Sequence, residues 1–344
     1  MKLWLLIASA LTIMVTAQCC SPANDDLAPR GNAMYYWRTK FSLSPAERKF
    51  LSDNNIKSLY VKFFDVVADG DNMRPEATML IADSFPRDVE IIPVVFIDSR
   101  AFSKAAPPPD LASLILRRVD DMMTSNGYKP ASELQIDFDW TQTNREQYFK
   151  ILSCLADSLH SQNRKLSTTI RLHQLSQPVP PVDYGALMVY NTGDFSNPSE
   201  SNSILSTAAV RPYLKYLKNY SLPLATALPI YSWNLLFHSD SFVAIIRNEV
   251  HADTSLFAPL GPNHFIARTY MPLPTAIDAK LRARITPGDV VRHESVSVEL
   301  LDSVKTSIGR IRPDALQQII LYHLDNQSFI NYDNKEFDRI FSQP

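Results

Sequence analysis

From Met34 onward, short apolar runs alternate with amphipathic stretches of helical length, a pattern that predicts an α/β fold with a parallel sheet. Close to eight such units fit within the 344 residues, and eight βα units close most often into a (β/α)8 TIM barrel, with polar residues at the strand C-terminal ends as the floor of a site. Glycine supplies a third observation: only 8 occur, where average usage of about 7% would give roughly 24. They stand singly, so neither G-x-G-x-x-G nor G-x-x-x-x-G-K-[ST] can be written. The other arrangement of the same units, an open doubly wound sheet, therefore lacks its usual phosphate fingerprint.

Taken in order, the first strand runs from Ala33 to Thr39, and Ser44-Pro45-Ala46-Glu47 then forms a capping box with proline at the first helical position. Strand two spans Ser58 to Val67 and strand three Val89 to Asp98. The amphipathic segment Asp110 to Ser125 precedes strand four, Glu133 to Trp140. Helix Glu146 to Gln162, strand five Lys165 to Gln174, strand six Ala186 to Asn191, helix Ile204 to Asn219 and strand seven Leu224 to Trp233 follow. A last strand, Gln317 to Asp325, precedes a short terminal helix. Roughly 80 residues separate strand seven from the last strand, more than one helix requires, so an insertion between strands seven and eight is expected at about 241–305.

The apolar run Leu3 to Ala17 is shorter than the roughly 20 residues of a spanning helix and fits the core of a signal peptide. It leads into Gln18-Cys19-Cys20-Ser21, which resembles a bacterial lipoprotein signal with Cys19 or Cys20 as the acylated residue; an ordinary cleaved signal peptide is the other reading. The expected layout is a leader over 1–20, a polar tether over 21–33 and a barrel domain over 34–344. An exported lipoprotein of the outer membrane or cell surface follows, with a periplasmic location as the alternative and the lipid anchor as the sole membrane contact. Beyond residue 20 the only cysteine is Cys154, so the folded domain has no internal disulfide. Charge is balanced, 34 Lys+Arg against 36 Asp+Glu, with no basic run to neutralise a row of phosphates, which argues against nucleic acid as a partner.

Leu134-Gln-Ile-Asp-Phe-Asp-Trp-Thr141 alternates with period two, so Gln135, Asp137, Asp139 and Thr141 share one face and Ile136, Phe138 and Trp140 the other. With the apolar face against helices, Asp137 and Asp139 project into the barrel about 6.6 Å apart along the strand. Like charges at that range raise one pKa and favour a shared proton, while burial without partners is costly; the pair either performs chemistry or ties down neighbouring loops.

These residues resemble the glycoside hydrolase family 18 barrel, the chitinase type, whose fourth strand carries D-x-x-D-x-D-x-E. Asp137 and Asp139 match its second and third acids, whereas Leu134 holds the first acid position and Thr141 that of the glutamate. The resemblance implies that this glutamate protonates the glycosidic oxygen and that the last aspartate orients the substrate N-acetyl group. A threonine hydroxyl does not act as an acid near neutral pH. Met188-Val-Tyr190-Asn191 resembles the family's M-x-Y-D, with Asn in place of Asp, and Leu228-Pro-Ile-Tyr-Ser-Trp233 its substrate-lining P-x-Y-G-x segment. Taken whole, the chain is closer still to barrel lipoproteins of the Bacteroidetes whose fourth strands carry I-D-x-D.

On strand five Arg171 and His173 share the face opposite Leu166, Ile170 and Leu172, which places both inward. Arg171 serves either as a ligand-contacting cation or as a counter-ion to the acids. Asp65, Asp98 and Asp325 are further strand-end acids. A ring of these carboxylates suits a hard divalent cation, but no compact ligand motif accompanies it, so neither a metal nor another cofactor is expected. As an inverting pair, Asp139 is matched with Asp65, Asp98 or Asp325. Tyr35, Tyr36 and Trp37 on the first strand, Tyr190, and Tyr231 with Trp233 lie near strand ends, where aromatic faces stack on sugars, though alternation assigns about half of them to the core.

The leading expectation is a glycoside-hydrolase-like protein that takes an oligosaccharide or polysaccharide in the barrel mouth. Asp139 and Asp137 are the catalytic candidates. Arg171, His173, Tyr190, Asn191, Tyr231, Trp233, Asp65, Asp98 and Tyr36 are the substrate-binding candidates. A glycan-binding protein without catalysis and a structural cell-envelope lipoprotein are the alternatives, and the oligomeric state is left open by the sequence.

Overall fold

A computed structural model describes residues 31–76, 78–104, 107–246, 250–272 and 284–344. The leader with Cys19 and Cys20 and most of the tether lie outside the described residues. Eight parallel strands, Asn32–Tyr36, Ile56–Asp69, Glu90–Ile97, Glu133–Asp137, Lys165–Arg171, Tyr184–Met188, Leu224–Pro229 and Ile319–Tyr322, form the barrel. It closes because the first strand pairs with both the second and the last, Ala33 lying beside Ser58 on one side and Ile320 on the other.

Alternation sorts each strand between two cores. Ala33, Tyr35, Tyr60, Val94, Ala186, Met188, Ala227 and Ile320 fill the interior, while Met34, Tyr36, Leu59, Val61, Leu134 and Ile136 belong to the larger cluster between sheet and helices. Phe138 and Trp140 are buried in that outer layer too.

The first helix begins where local chemistry predicts. Ser44 accepts from the Glu47 backbone at 3.2 Å and the Glu47 carboxylate accepts from the Ser44 backbone at 2.7 Å, opening helix Pro45–Asp53. Helices Leu111–Ser125, Arg145–His160 and Thr207–Leu217 occupy the amphipathic stretches read from the sequence.

All the barrel strands except the second end earlier than expected, and several of these ends move a candidate side chain. The fifth strand stops at Arg171, where a short 3-10 turn, Leu172–Ser176, takes over. The sixth spans Tyr184–Met188, so Tyr190 and Asn191 sit on the loop beyond it. The seventh ends at Pro229, and Trp233 opens a second sheet in which it pairs with Glu294.

That sheet has five antiparallel strands, Trp233–His238, Ser241–Ile246, Phe257–Gly261, His264–Ala267 and Val290–Glu294. Helix Val298–Gly309 buries Val298, Leu301, Val304 and Ile308 in the outer core of the barrel. The inserted sheet thus runs from Trp233 to Glu294, earlier at both ends than the 241–305 read from loop length.

Candidate functional site

The fourth and fifth strands set the site. Asp137, the last residue of its strand, points inward and is almost wholly enclosed; its Oδ1 accepts from Thr169 Oγ1 at 2.6 Å and from Arg171 Nη2 at 3.0 Å. Both donors come from alternate positions of the adjacent strand, as period two requires. A buried carboxylate needs such donors to offset lost hydration. Burial acts to lower the Arg171 pKa, but the nearby Asp137, followed by Tyr190 and Asp139, outweighs it, and the net shift is upward. Asp137 and Arg171 are therefore a standing ion pair.

Asp139 lies beyond the strand end with a half-exposed side chain, 3.4 Å from His173 Nε2. Gln174 Nε2 stands 3.4 Å from the same carboxylate oxygen. The two acids thus have separate partners, Thr169 and Arg171 for Asp137, His173 and Gln174 for Asp139. His173 reaches Asp139 from the 3-10 turn rather than from a strand.

These groups open into a cavity of about 460 Å³ at the barrel mouth, lined by Asp137, Asp139, Arg171, His173, Tyr190 and Asn191 together with Trp37, Phe96, Met188, Thr192, Tyr213 and Tyr322. Tyr190 stacks on Tyr322 with centroids 5.0 Å apart, and Trp37 approaches Tyr322 at 6.1 Å. The Tyr190 hydroxyl is buried and has no hydrogen-bond partner among the described residues. Burial raises its pKa well above the usual value, so it is a neutral donor at physiological pH. Asn191 adopts φ +51°, a left-handed conformation that asparagine tolerates, and its Oδ1 accepts from the Tyr231 hydroxyl at 2.5 Å.

Six of the residues singled out from the sequence therefore line one cavity. Tyr231 stands beside it, bonded to Asn191, and lines a neighbouring cavity of about 330 Å³. Trp233 belongs to the inserted sheet, where its Nε1 donates to Glu294 at 2.7 Å. Tyr36 faces outward, its hydroxyl bonded to the backbone of Lys40 and Ser42, because alternation sends Tyr35 and Trp37 inward instead.

The remaining strand-end acids each meet a nearby cation. Asp65 pairs with Lys62 at 2.7 Å, and Lys62 in turn lies over the Trp37 ring. Asp98 pairs with Arg100, and Asp325 caps helix Asn326–Phe329 while lying 3.5 Å from Arg38. The ring of carboxylates is not assembled, and neither Asp65, Asp98 nor Asp325 lines the cavity with Asp139. Thr141 is exposed and bonds Thr143 Oγ1 at 2.8 Å, also outside the lining.

Of the three aromatics read on the first strand, Trp37 lines the cavity; Phe96, Tyr213 and Tyr322 are lining aromatics that sequence reasoning did not name. Phe96 reaches the site through its register with Asp137, and Tyr213 comes from a helix; neither relation is visible in one strand.

Comparison with solved structures bears on the architecture. A chitinase from Chromobacterium violaceum aligns with a TM-score of 0.58 at 12% identity, over 92% of this chain and 100% of that one. The GH18 chitinase ChiB of Flavobacterium johnsoniae aligns with a TM-score of 0.54 at 11% identity, over 91% and 93%. The fold is a family 18-like (β/α)8 barrel. The spore cortex-lytic enzyme SleL of Bacillus megaterium also aligns with this family 18-like barrel, with a TM-score of 0.54 at 12% identity over 91% of this chain and 75% of its own. No family model and no curated protein sequence matches the chain.

Proposed function

We propose that this chain is a glycoside-hydrolase-like protein that binds a glycan in the barrel mouth. One observation carries the reading: the cavity joins stacked aromatic faces, Tyr190 with Tyr322 beside Trp37, to a ring of polar groups, Asp139, Arg171 and Asn191. A sugar ring has apolar C–H faces and hydroxyl edges, and needs both kinds of surface at once. In this account the ring lies against Tyr322 and Trp37. Asp139 accepts from its hydroxyls, while Arg171 donates to them. Asp137 acts through Arg171, fixing the guanidinium by a bond of 3.0 Å. The leader with Cys19 and Cys20 supports an exported, lipid-anchored protein that meets its glycan outside the cytoplasm.

A second reading, cleavage of the glycan, is favoured by the place of Asp139, a half-exposed carboxyl within the cavity that forms no arginine salt bridge among the described residues. As general acid it gives its proton to the glycosidic oxygen while the bond to the anomeric carbon breaks. Water then adds to that carbon and the proton lost from water returns to the carboxylate. Binding without turnover is the first reading because Thr141, at the glutamate position of the resemblance, lies outside the cavity.

A glycan panel followed by calorimetry and product analysis tests both. Binding alone predicts saturable uptake with no product, loss of affinity in Tyr322→Ala and a smaller loss in Asp139→Asn, which replaces a charged acceptor by a neutral one. Cleavage predicts product from the wild type and none from Asp139→Asn. Absence of both binding and turnover across neutral, amino-sugar and acidic glycans overturns the two readings together.

A further inference from the structure

The loop after the sixth strand folds back on itself: Gly193 N donates to Ser203 O at 3.1 Å and Ser206 N to Thr192 Oγ1 at 3.0 Å. A side chain at Gly193 would put its Cβ 3.0 Å from Ser203 Cα, so glycine lets the two arms meet. The base of this loop delivers Asn191 and Thr192 to the cavity.

The loop is held from the inserted sheet by a charged pair with no solvent access, Arg292 and Glu294, joined at 2.8 Å. Glu294 Oε2 accepts from Ser203 N at 3.0 Å, Ser203 Oγ at 2.6 Å and Trp233 Nε1 at 2.7 Å. Arg292 donates to Asn197 O at 2.7 Å and Phe195 O at 3.3 Å. One carboxylate therefore ties together the loops that follow the sixth and seventh strands. Those loops meet again beside the cavity, where Tyr231 bonds Asn191. Hydrocarbon of equal volume commonly matches a buried ion pair in stability, but it has no directional bonds with which to fix two loops.

We propose that Glu294 is a positioning residue for the barrel mouth: through Ser203 and Trp233 it sets where Asn191, Thr192 and Tyr231 stand when the glycan binds. The ligand part of this inference rests on the glycan reading above; the ordering of the loop does not.

The test uses the full chain with Glu294→Gln, read by far-UV circular dichroism, amide hydrogen exchange and glycan affinity. The barrel spectrum stays unchanged, exchange across 192–206 accelerates roughly tenfold and affinity weakens by about the same factor. A double variant, Arg292→Met with Glu294→Leu, refills the space and recovers the thermal midpoint, yet leaves exchange fast and affinity weak. Recovery of affinity by that double variant assigns the pair a filling role and overturns the proposal. Unchanged exchange across 192–206 in Glu294→Gln overturns it as well. Should Glu294→Gln fail to fold, Ser203→Ala removes one of the three donors to Oε2 and is read the same way. Faster exchange in Glu294→Gln, with no glycan bound by the wild type, refutes the glycan reading and with it the ligand part of the proposal.

Discussion

Two arginine–carboxylate pairs, Asp137–Arg171 at the barrel mouth and Glu294–Arg292 at the seam with the inserted sheet, use the same chemistry in opposite surroundings. At the seam both side chains are fully enclosed and bond to neighbouring protein groups. At the mouth Asp137 is enclosed but the Arg171 side chain keeps 23% of its surface, directed into the cavity. A pair closed on all sides spends its bonds on fixing backbone. One that opens on one side has donors left for a ligand.

The difference orders the expected effects. Glu294→Ala strands Arg292 without a counter-charge in a dry seam, and the loss of stability by chemical denaturation is expected at about 3–5 kcal/mol. Arg171→Ala strands Asp137 beside a cavity that admits water, and the expected loss is smaller, about 2 kcal/mol, together with loss of glycan binding. Equal losses at the two places would remove the distinction between a sealed and an open pair.

Alkaline titration sharpens the same contrast. Burial raises the pKa of Tyr35, Tyr148, Tyr190 and Tyr231. The folded state thus holds protons that the unfolded state releases near pH 10, so this contribution is intact below about pH 10 and declines as pH rises further. Phenolate absorbance from these residues is expected to appear only with unfolding. Ionisation of all 14 tyrosines near pH 10 in the folded chain contradicts that burial.

Asp139→Asn is the smallest expected effect on stability, within about 0.5 kcal/mol, because the side chain is half exposed and its contacts to His173 and Gln174 are long. Its effect on turnover, if the wild type turns over a glycan, is complete.

Much of the architecture was legible because it is local. The Ser44–Glu47 capping box and the alternation within Leu134 to Thr141 state a helix start and a strand face without reference to the rest of the chain. Alternation likewise placed Asp137 and Arg171 together, since each sits on the inward face at the end of adjacent strands.

Cross-strand register was not legible. It brings Phe96 alongside Asp137, while Tyr322 joins the site from the far end of the chain. The misplaced acids had a local explanation: Lys62 precedes Asp65 by three residues and Arg100 follows Asp98 by two, and these near cations took the carboxylates. Tyr36 and Trp37 differ by one position, which on a strand is the difference between the outer core and the cavity.

The central claim is that the barrel mouth receives a sugar ring, and a crystal of the protein with a bound oligosaccharide tests it most directly. The account predicts a ring packed on Tyr322 and Trp37, with hydroxyls within about 3 Å of Asp139 and Arg171. A sugar bound elsewhere, with the mouth holding only solvent, would contradict it.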